Sequence, residues 1–328
     1  MIDVCVVGAG VAGLTAARYL QSQGQQVLVL EKSRGLGGRA ATRTLHGQRV
    51  DHGAQHFTVR DQRFQQLVGE WLRAGYVAEW TKGFHSLSVS GVLQEPDGKH
   101  PRYIFPDGMN KMGKLLAEGL EVKRETRVTA VQSVSGNWKL TLYDGSFLEA
   151  KQVIINMPAP QALEIIDKNV LDKATLSALS QVKFNPCFAV MAGYENLHAP
   201  AWSGVTFDED STLSWLSHDS SKRLESQQTV LVLHSSPSFA RRHYESERRS
   251  VESKMLKAAS VLSEWINNPI WTDSQRWRYA LAKKHLSTNH INVANNLFFC
   301  GDWCGGARIE AAFLSGYSVA KAVMLKRV

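Results

Sequence analysis

The sequence predicts an α/β protein in which a Rossmann-like dinucleotide-binding domain is interrupted by a second domain of α+β character. Three observations carry this. A glycine-rich turn joins an apolar strand to a helix within residues 2–20. A second run of strand, Gly-Asp, glycine loop and helix occupies residues 297–324. Between them, residues 161–289 lack any dinucleotide motif and are rich in aromatics.

Ile2 to Val7 (IDVCVV) is an apolar run of strand length. It stops at Gly8-Ala9-Gly10-Val11-Ala12-Gly13, a GxGxxG. Leu14 to Leu20 reads as helix, Gly24 ends it, and Val27 to Leu30 is a second strand with Glu31 at its tip. In such a βαβ unit Gly8 makes the tight turn, Gly10 lets backbone approach a pyrophosphate, and Gly13 lets helix and strand pack closely. The pyrophosphate sits on the helix N-terminus, where unpaired N–H groups and the dipole favour an anion. Glu31 would accept hydrogen bonds from an adenosine ribose. The motif gains specificity from the strand before it, the helix after it and the acid about 20 residues on. Lys32-Ser33-Arg34-Gly35-Leu36-Gly37-Gly38-Arg39 follows. A second glycine loop lets backbone come close to a larger ligand, and Arg39 can reach its phosphates. This segment resembles the FAD-binding segment of the flavin amine oxidase superfamily, where the pattern is ExxxxxGGR.

Residues 50–60 (VDHGAQHFTVR) are too polar for a core strand and too poor in turn residues for a plain loop. In the superfamily a D-x-G-A-[QH] stretch passes close to the flavin ring, which assigns Gly53, Ala54, Gln55 and His56 to the cofactor. Asp61 caps a helix with Phe64, Leu67, Val68, Trp71 and Leu72 at helical spacing. Residues 77–80 and 86–92 read as strands and 94–101 as a polar loop. Pro106-Asp107-Gly108-Met109 leads into a helix from Asn110 to about Glu118, a place where the superfamily re-enters its FAD domain. Residues 122–134, 138–143 and 147–150 form a β-meander, and 153–156 a separate buried strand. By resemblance, the strand at Arg127-Val128 offers backbone to the adenine, through Val128.

Between 161 and 289, Val190, 204–207, 213–216 and 229–234 read as strands, and 244–266 contains a long helix. The chain closes with an apolar strand at 297–300, Gly301-Asp302-Trp303-Cys304, a glycine loop, and a helix over 309–324. This is the second FAD signature. It implies that Asp302 bonds the ribityl chain and that the helix start (Arg308, Ile309, Glu310, Ala311) faces the flavin pyrimidine edge, stabilising the charge that reduction places there. The expected FAD domain is therefore discontinuous: residues 1–80, 106–160 and 290–328. The expected substrate domain is 81–105 with 161–289.

Composition bounds the alternatives. A chain of 328 residues, 44% hydrophobic and 21% charged, reads as an ordinary globular protein. The apolar runs are too short to span a bilayer, so no membrane association is expected. The start is a core strand carrying Asp3, unlike a basic leader region. Cys5, Cys187, Cys300 and Cys304 give no disulfide framework. A cytoplasmic location follows. The net charge of +8 is spread along the chain, which argues against nucleic acid and suits a phosphate-bearing small substrate. The histidines lack metal-ligand spacing, and neither Ser203 nor Ser315 sits in a nucleophile elbow. No internal repeat is visible.

Several blocks together resemble bacterial renalases: residues 32–39, Gly53-Ala54-Gln55-His56-Phe57-Thr58-x-Arg60, Ala78-Glu79-Trp80, Arg276-Trp277-x-Tyr279 and Gly301-Asp302-Trp303-Cys304. The match runs over nearly the whole chain. His56 stands where the family has tyrosine, and Arg278 lies inside the Trp-x-Tyr block; these departures bear on substrate preference. The resemblance implies a fold like p-hydroxybenzoate hydroxylase and monoamine oxidase and a non-covalent FAD. It implies oxidation of 2- and 6-dihydro-NAD(P) isomers to NAD(P)+. Hydride goes to flavin N5, and dioxygen reoxidises the flavin and yields hydrogen peroxide. A dihydropyridine needs no general base, because the ring-nitrogen lone pair supplies the push and aromaticity is gained. The protein must hold the ring and exclude competing reactions. Phe57, Arg60, Trp215, His234, Trp277, Arg278, Tyr279 and Trp303 are the pocket candidates. His234, ending an apolar strand, reads equally as a satisfied core histidine. Two alternatives stand: an amine oxidase of the same superfamily, and a non-catalytic FAD-fold binding protein. Retention of Glu31, Arg39 and Asp302 together argues against the second.

Overall fold

The computed structural model describes residues 1–88, 91–96, 98–195, 200–208, 211–293 and 296–325. Two large sheets organise them.

The first sheet has eight strands. Ile2–Val7 lies between Val27–Leu30 and Phe147–Ile155, parallel to both. Glu121–Lys123 extends one side and Leu297–Phe299 the other, again parallel. Alternate residues face opposite sides of this sheet, as the pleat requires. Val4, Val6, Val29, Ile154 and Phe298 meet one apolar cluster; Cys5, Val7, Leu28, Leu30, Ile155 and Phe299 meet another. Both faces are covered, which explains strands without polar alternation.

Helix Val11–Ser22 lies across the first face with the last helix, Ile309–Leu325. The two backbones approach so closely at Gly316 that a Cβ there would lie 2.2 Å from the Ala12 carbonyl oxygen.

One expected boundary is absent. Residues 147–155 form a single strand rather than two. Its first half pairs with Asn137–Leu142 in the meander, and its second half with Leu297–Phe299 in the parallel sheet. Lys151 and Gln152 mark the changeover in sequence, and their polarity suggested a break that the continuous ladder to Ile2–Val7 overrides.

The second sheet has seven strands. Trp271–Lys284, Lys183–Tyr194, Thr229–Ser235, Leu213–His218 and Gly204–Phe207 are antiparallel in that order, and His85–Leu87 then adds in parallel, with Leu93–Gln94 beyond it. Leu231, Leu233, Val190 and Leu216 pack on helices Pro237–Arg242 and Arg248–Ala259. The opposite face carries Ala189, Met191, Trp215, Val232 and His234, by register and alternation.

The long helix expected over 244–266 is realised as Arg248–Ala259 followed by a short 3-10 turn at Glu264–Asn267. Ser236 caps the preceding short helix by accepting from the Phe239 N–H. The expected strand over 86–92 is realised at His85–Leu87; residues 89–90, and residue 97 of the expected loop, lie outside the described residues. Asp61 caps Gln62–Arg73 as anticipated, accepting from Arg63 N–H. Among the described residues no helix is long and apolar enough to cross a membrane, and no cluster of His, Cys, Asp or Glu is placed to hold a metal ion.

Candidate active site

The glycine turn has the geometry its motif demands. Gly8 adopts φ +105°, in the region that favours glycine. A Cβ on Gly13 would lie 2.3 Å from Gly8 O and 2.4 Å from Asn156 Nδ2, so helix and strand meet there without room for a side chain. Asn156 ends the apolar strand next door and donates from Nδ2 to Gly8 O at 3.0 Å. Gly10 is the N-cap of Val11–Ser22, and no side chain caps this helix. Its first-turn N–H groups are thereby left to an anion. The second glycine loop lies against the first: Gly37 donates to Ala9 O at 2.8 Å, and a Cβ on Gly38 would stand 3.3 Å from Gly10 Cα.

Glu31 is buried at the strand tip and accepts from Ala9 N–H and Ser33 N–H, both at 2.8 Å. Each oxygen keeps a lone pair for a further donor. Lys32 and Gly38 are exposed. Val128 is buried where a β-bulge interrupts the pairing of Val128–Val134 with its neighbour.

The two ends of the sequence meet at Arg39 and Asp302, whose Nη2 and Oδ1 are 2.6 Å apart. Arg39 also donates to Ala280 O at 3.0 Å, fixing it against the second sheet. Glycine turn, uncapped helix end, the buried acid at the strand tip and the Arg39–Asp302 pair together suit an elongated dinucleotide with an anionic centre.

At the start of the last helix, Arg308 is exposed, Ile309 half-buried and Ala311 buried. The Glu310 side chain is committed elsewhere: its Oε1 accepts from Arg60 N–H at 2.6 Å and Asp61 N–H at 2.8 Å, tying this helix to the loop before Gln62–Arg73. Cys304 is buried, and burial pushes its thiol up to about 12, so it is no thiolate nucleophile at neutral pH.

Loop 51–57 lies beneath the inner face of the second sheet. Trp277 Nε1 donates to His52 O at 2.9 Å, and the two rings stack at 5.5 Å. Ser217 Oγ donates to Gln55 Oε1 at 2.8 Å. His56 packs on Phe84 and Trp215, with centroids at 4.7 and 5.7 Å, and Trp215 lies across from His234 in the ladder. Five buried side-chain polar atoms lack a hydrogen-bond partner among the described residues, and four of them line this cleft: His52 Nδ1, His56 Nδ1, Trp215 Nε1 and His234 Nε2. Unpartnered buried polar atoms are uncommon, and four in one place leave room for water or a ligand to complete their hydrogen bonds.

These histidines are uncharged. Burial, with Arg43 adding to it, pulls His52 down to about 4 against Asp51 and Asp273. Burial with Lys222 brings His56 and His234 each to about 3.

Below the cleft lies a buried ion cluster that the sequence did not reveal. Lys222 Nζ is 2.8 Å from Asp219 Oδ1 and 3.4 Å from Asp51 Oδ2; Arg223 Nη2 is 2.8 Å from Asp51 Oδ2 and 2.9 Å from Asp219 Oδ2. Lys222 also donates to Gln55 Oε1 at 2.9 Å. Burial alone would raise the Asp51 pKa, but Lys222, Arg223, the Thr42 hydroxyl and the Met109 N–H outweigh it and hold the carboxyl below its ordinary value. Two acids and two cations cancel here, and Gln55 carries the cluster's polarity up to the loop.

Not every candidate reaches the cleft. Gly53 and Ala54 are packed against the Arg39 backbone: Ala54 N–H donates to the Arg39 carbonyl oxygen at 2.9 Å, and a Cβ on Gly53 would strike that oxygen at 2.0 Å. Phe57 is instead packed in an aromatic core with Phe64, Tyr103 and Phe105. Trp303 is 1% exposed in the second apolar cluster, its Nε1 donating to Met157 O. Neither offers a free face to a substrate, and both expectations are corrected by packing. Arg60 is exposed. Arg278 and Tyr279 lie further along the Trp277 strand in an open groove. Phe84, His52 and the Asp51–Asp219–Lys222–Arg223 cluster were missed. Their only sequence signal was the acid of the D-x-G-A stretch and a dense polar run at 217–223 that reads as surface.

A parallel sheet with a dinucleotide cradle, closed by a second sheet over an aromatic cleft, defines a flavin-dependent oxidoreductase. The chain belongs to the family described as flavin containing amine oxidoreductase, which residues 70–324 match; residues 6–71 match the NAD(P)-binding Rossmann-like domain. The renalase of Mus musculus is 25% identical over 312 residues, covering 88% of this chain and 87% of that protein. Putrescine oxidase of Kocuria rosea is 36% identical, but over 121 residues, 24% of its length. In fold, the chain is similar to a cyclohexylamine oxidase from Brevibacterium oxydans, with a TM-score of 0.79 at 13% identity and 99% of this chain covered. A putrescine oxidase structure gives 0.78 at 16%, again over 99%.

Proposed function

We propose that the protein is an FAD-dependent oxidase of 2- and 6-dihydro-NAD(P) isomers, returning them to NAD(P)+ at the expense of dioxygen. In this reading the first sheet and its helices hold FAD non-covalently, and the second sheet holds the substrate ring. The observation that carries it is the cleft of four unpartnered, uncharged polar atoms between aromatic walls. A nicotinamide presents a flat ring to stack and a carboxamide with both donor and acceptor. Trp215 Nε1 can donate to the amide oxygen, and neutral histidine nitrogens can serve the amide nitrogen. Hydride loss from a dihydropyridine asks for no base, and the histidines, with pKa values near 3–4, stay neutral and need not change charge. A bound flavin would supply the hydride acceptor and, on reoxidation by dioxygen, hydrogen peroxide. The renalase relative over most of the chain supports the same reading. Four unpaired cysteines are in keeping with a reducing compartment such as the cytoplasm.

Amine oxidation is the second reading, favoured by the family as a whole. The carboxylates under the cleft are already neutralised by Lys222 and Arg223, which leaves none to hold an ammonium there. The deciding experiment is anaerobic mixing of the purified holoenzyme with borohydride-generated NAD(P)H isomers. Rapid flavin bleaching that 1,4-NADH and simple amines do not match is expected; bleaching by an amine alone would favour the second reading.

Asp302→Ala should weaken FAD retention roughly tenfold, since it removes one charge-assisted hydrogen bond worth about 1.5 kcal/mol or more. Glu31→Ala should weaken it less, because water partly replaces a ribose contact. The flavin-to-protein ratio after extensive dialysis reports both, and an unchanged ratio for Asp302→Ala would remove that residue from the cofactor site.

A further inference from the structure

Beside the cleft runs an open groove of about 1150 Å³, larger than an ordinary small-molecule pocket. Neither glycine loop lines it. Its walls carry Lys168, Lys183, Arg241 and Arg278 against one acid, Glu164. Among the described residues none of these four cations is ion-paired. Arg241 donates to the neutral Asn185 Oδ1 at 3.0 Å. Arg278 lies over the Tyr244 ring at 5.2 Å and donates to its hydroxyl at 3.1 Å. Both guanidinium groups keep most of their donors free. The inner end of the groove is the edge-to-face pair Phe184 and Tyr279, with centroids 5.6 Å apart. Tyr279 stands two residues along the strand from Trp277, the wall of the cleft. Arg39 lies 5.9 Å over the Phe184 ring, so this end also abuts the Arg39–Asp302 pair.

We propose that this groove binds the adenosine-diphosphate end of the dinucleotide substrate, with Arg241 and Arg278 on the pyrophosphate, the Phe184–Tyr279 end on the nicotinamide-riboside side of it and the adenosine further out along the groove. The proposal rests on the dihydropyridine reading, which supplies a substrate whose ring and nucleotide ends lie far apart. Charge complementarity selects the occupant: four cations with no ion pair among the described residues answer a pyrophosphate. An amine or other small cation would be repelled there.

The test uses holoenzyme carrying Arg241→Glu with Arg278→Glu, both exposed positions, with flavin content and melting temperature as folding controls. Two substrates are compared: the 6-dihydro isomer of NAD and 1-methyl-1,6-dihydronicotinamide, which has the ring and no phosphate. The charge reversal should lower kcat/KM for the dinucleotide at least tenfold and change that for the methyl compound less than twofold. Equal losses on both, or no loss on either, overturn the proposal. Calorimetric titration of the holoenzyme with ADP-ribose gives a readout free of turnover. Binding by the wild type that the reversal abolishes supports the groove; no binding by the wild type, or binding the reversal leaves intact, overturns it. Failure of every dihydropyridine to bleach the flavin is a different result, and it removes the proposed function.

Discussion

Asp219→Asn should destabilise the holoenzyme by about 3–5 kcal/mol, the usual cost of leaving a buried charge unmatched. Asp51, Asp219, Lys222 and Arg223 form a closed square in which each acid meets each cation, and their side chains are at most 7% exposed. Removing one carboxylate leaves two cations sharing Asp51 in a site almost closed to bulk solvent. The double variant Asp219→Asn with Lys222→Met restores the balance and should recover part of the loss. Urea unfolding of the wild type, both single variants and the double variant closes the cycle. A loss under about 1 kcal/mol for Asp219→Asn would mean that water reaches the cluster. Removing Lys222 should also raise the pKa values of His56 and His234, since its charge is one of the causes holding them down.

Stability should fall steeply as pH drops below 6.5. His52, His56 and His234 are neutral in the folded protein down to about 4, 3 and 3. In the unfolded chain they take up protons near pH 6.5. Between those values the unfolded state binds more protons, so folding stability declines with falling pH. Each histidine contributes about 1.4 kcal/mol per pH unit once pH is well below 6.5, and the three together about 4 kcal/mol per unit. His218 shifts in the same direction. Asp51, whose pKa is also depressed, adds its own loss only at lower pH, below the ordinary carboxylate value. Urea midpoints at pH 7.5, 6.5 and 5.5 measure the slope. His234→Leu should reduce it by about a third, and a midpoint constant from pH 7 to 5 would show that these rings are not buried neutral in solution.

The dinucleotide half was legible because its signals are local. The strand at Ile2–Val7, the glycine turn and the strand at Val27–Leu30 are consecutive, and each residue type answers a backbone constraint at its own position. The second sheet was less legible. Trp271–Lys284 is a fourteen-residue strand whose composition is polar, and Lys183–Tyr194 announced itself only around Val190. Both owe their conformation to pairing with each other across some ninety residues. The ion cluster is the extreme case. Asp219-Ser220-Ser221-Lys222-Arg223 looks like a solvated turn, and only closure of the second sheet over Asp51 buries it. The cleft histidines follow the same logic: the sequence singled out His56 and His234, but nothing local distinguishes His52 from a loop histidine until Trp277 stacks on it.

The contact between Gly316 and Ala12 sets an order of events during synthesis. Ser22, the last residue of the first helix, and Ile309, the first residue of the last helix, are 287 positions apart. At a translation rate of about 5–20 residues per second, the first helix waits roughly 15–60 s for its partner. Over that interval Ala12 and Thr15, both buried in the finished protein, and Tyr19, whose ring packs edge-on against Tyr317, have no covering helix. The strand Leu297–Phe299 arrives equally late, so the first sheet also stays open along the edge of Val153–Ile155. The nascent chain therefore cannot bank a finished N-terminal unit while the rest is made. The Arg39–Asp302 pair and the helix beside the glycine turn form only after residues 302–325 have emerged.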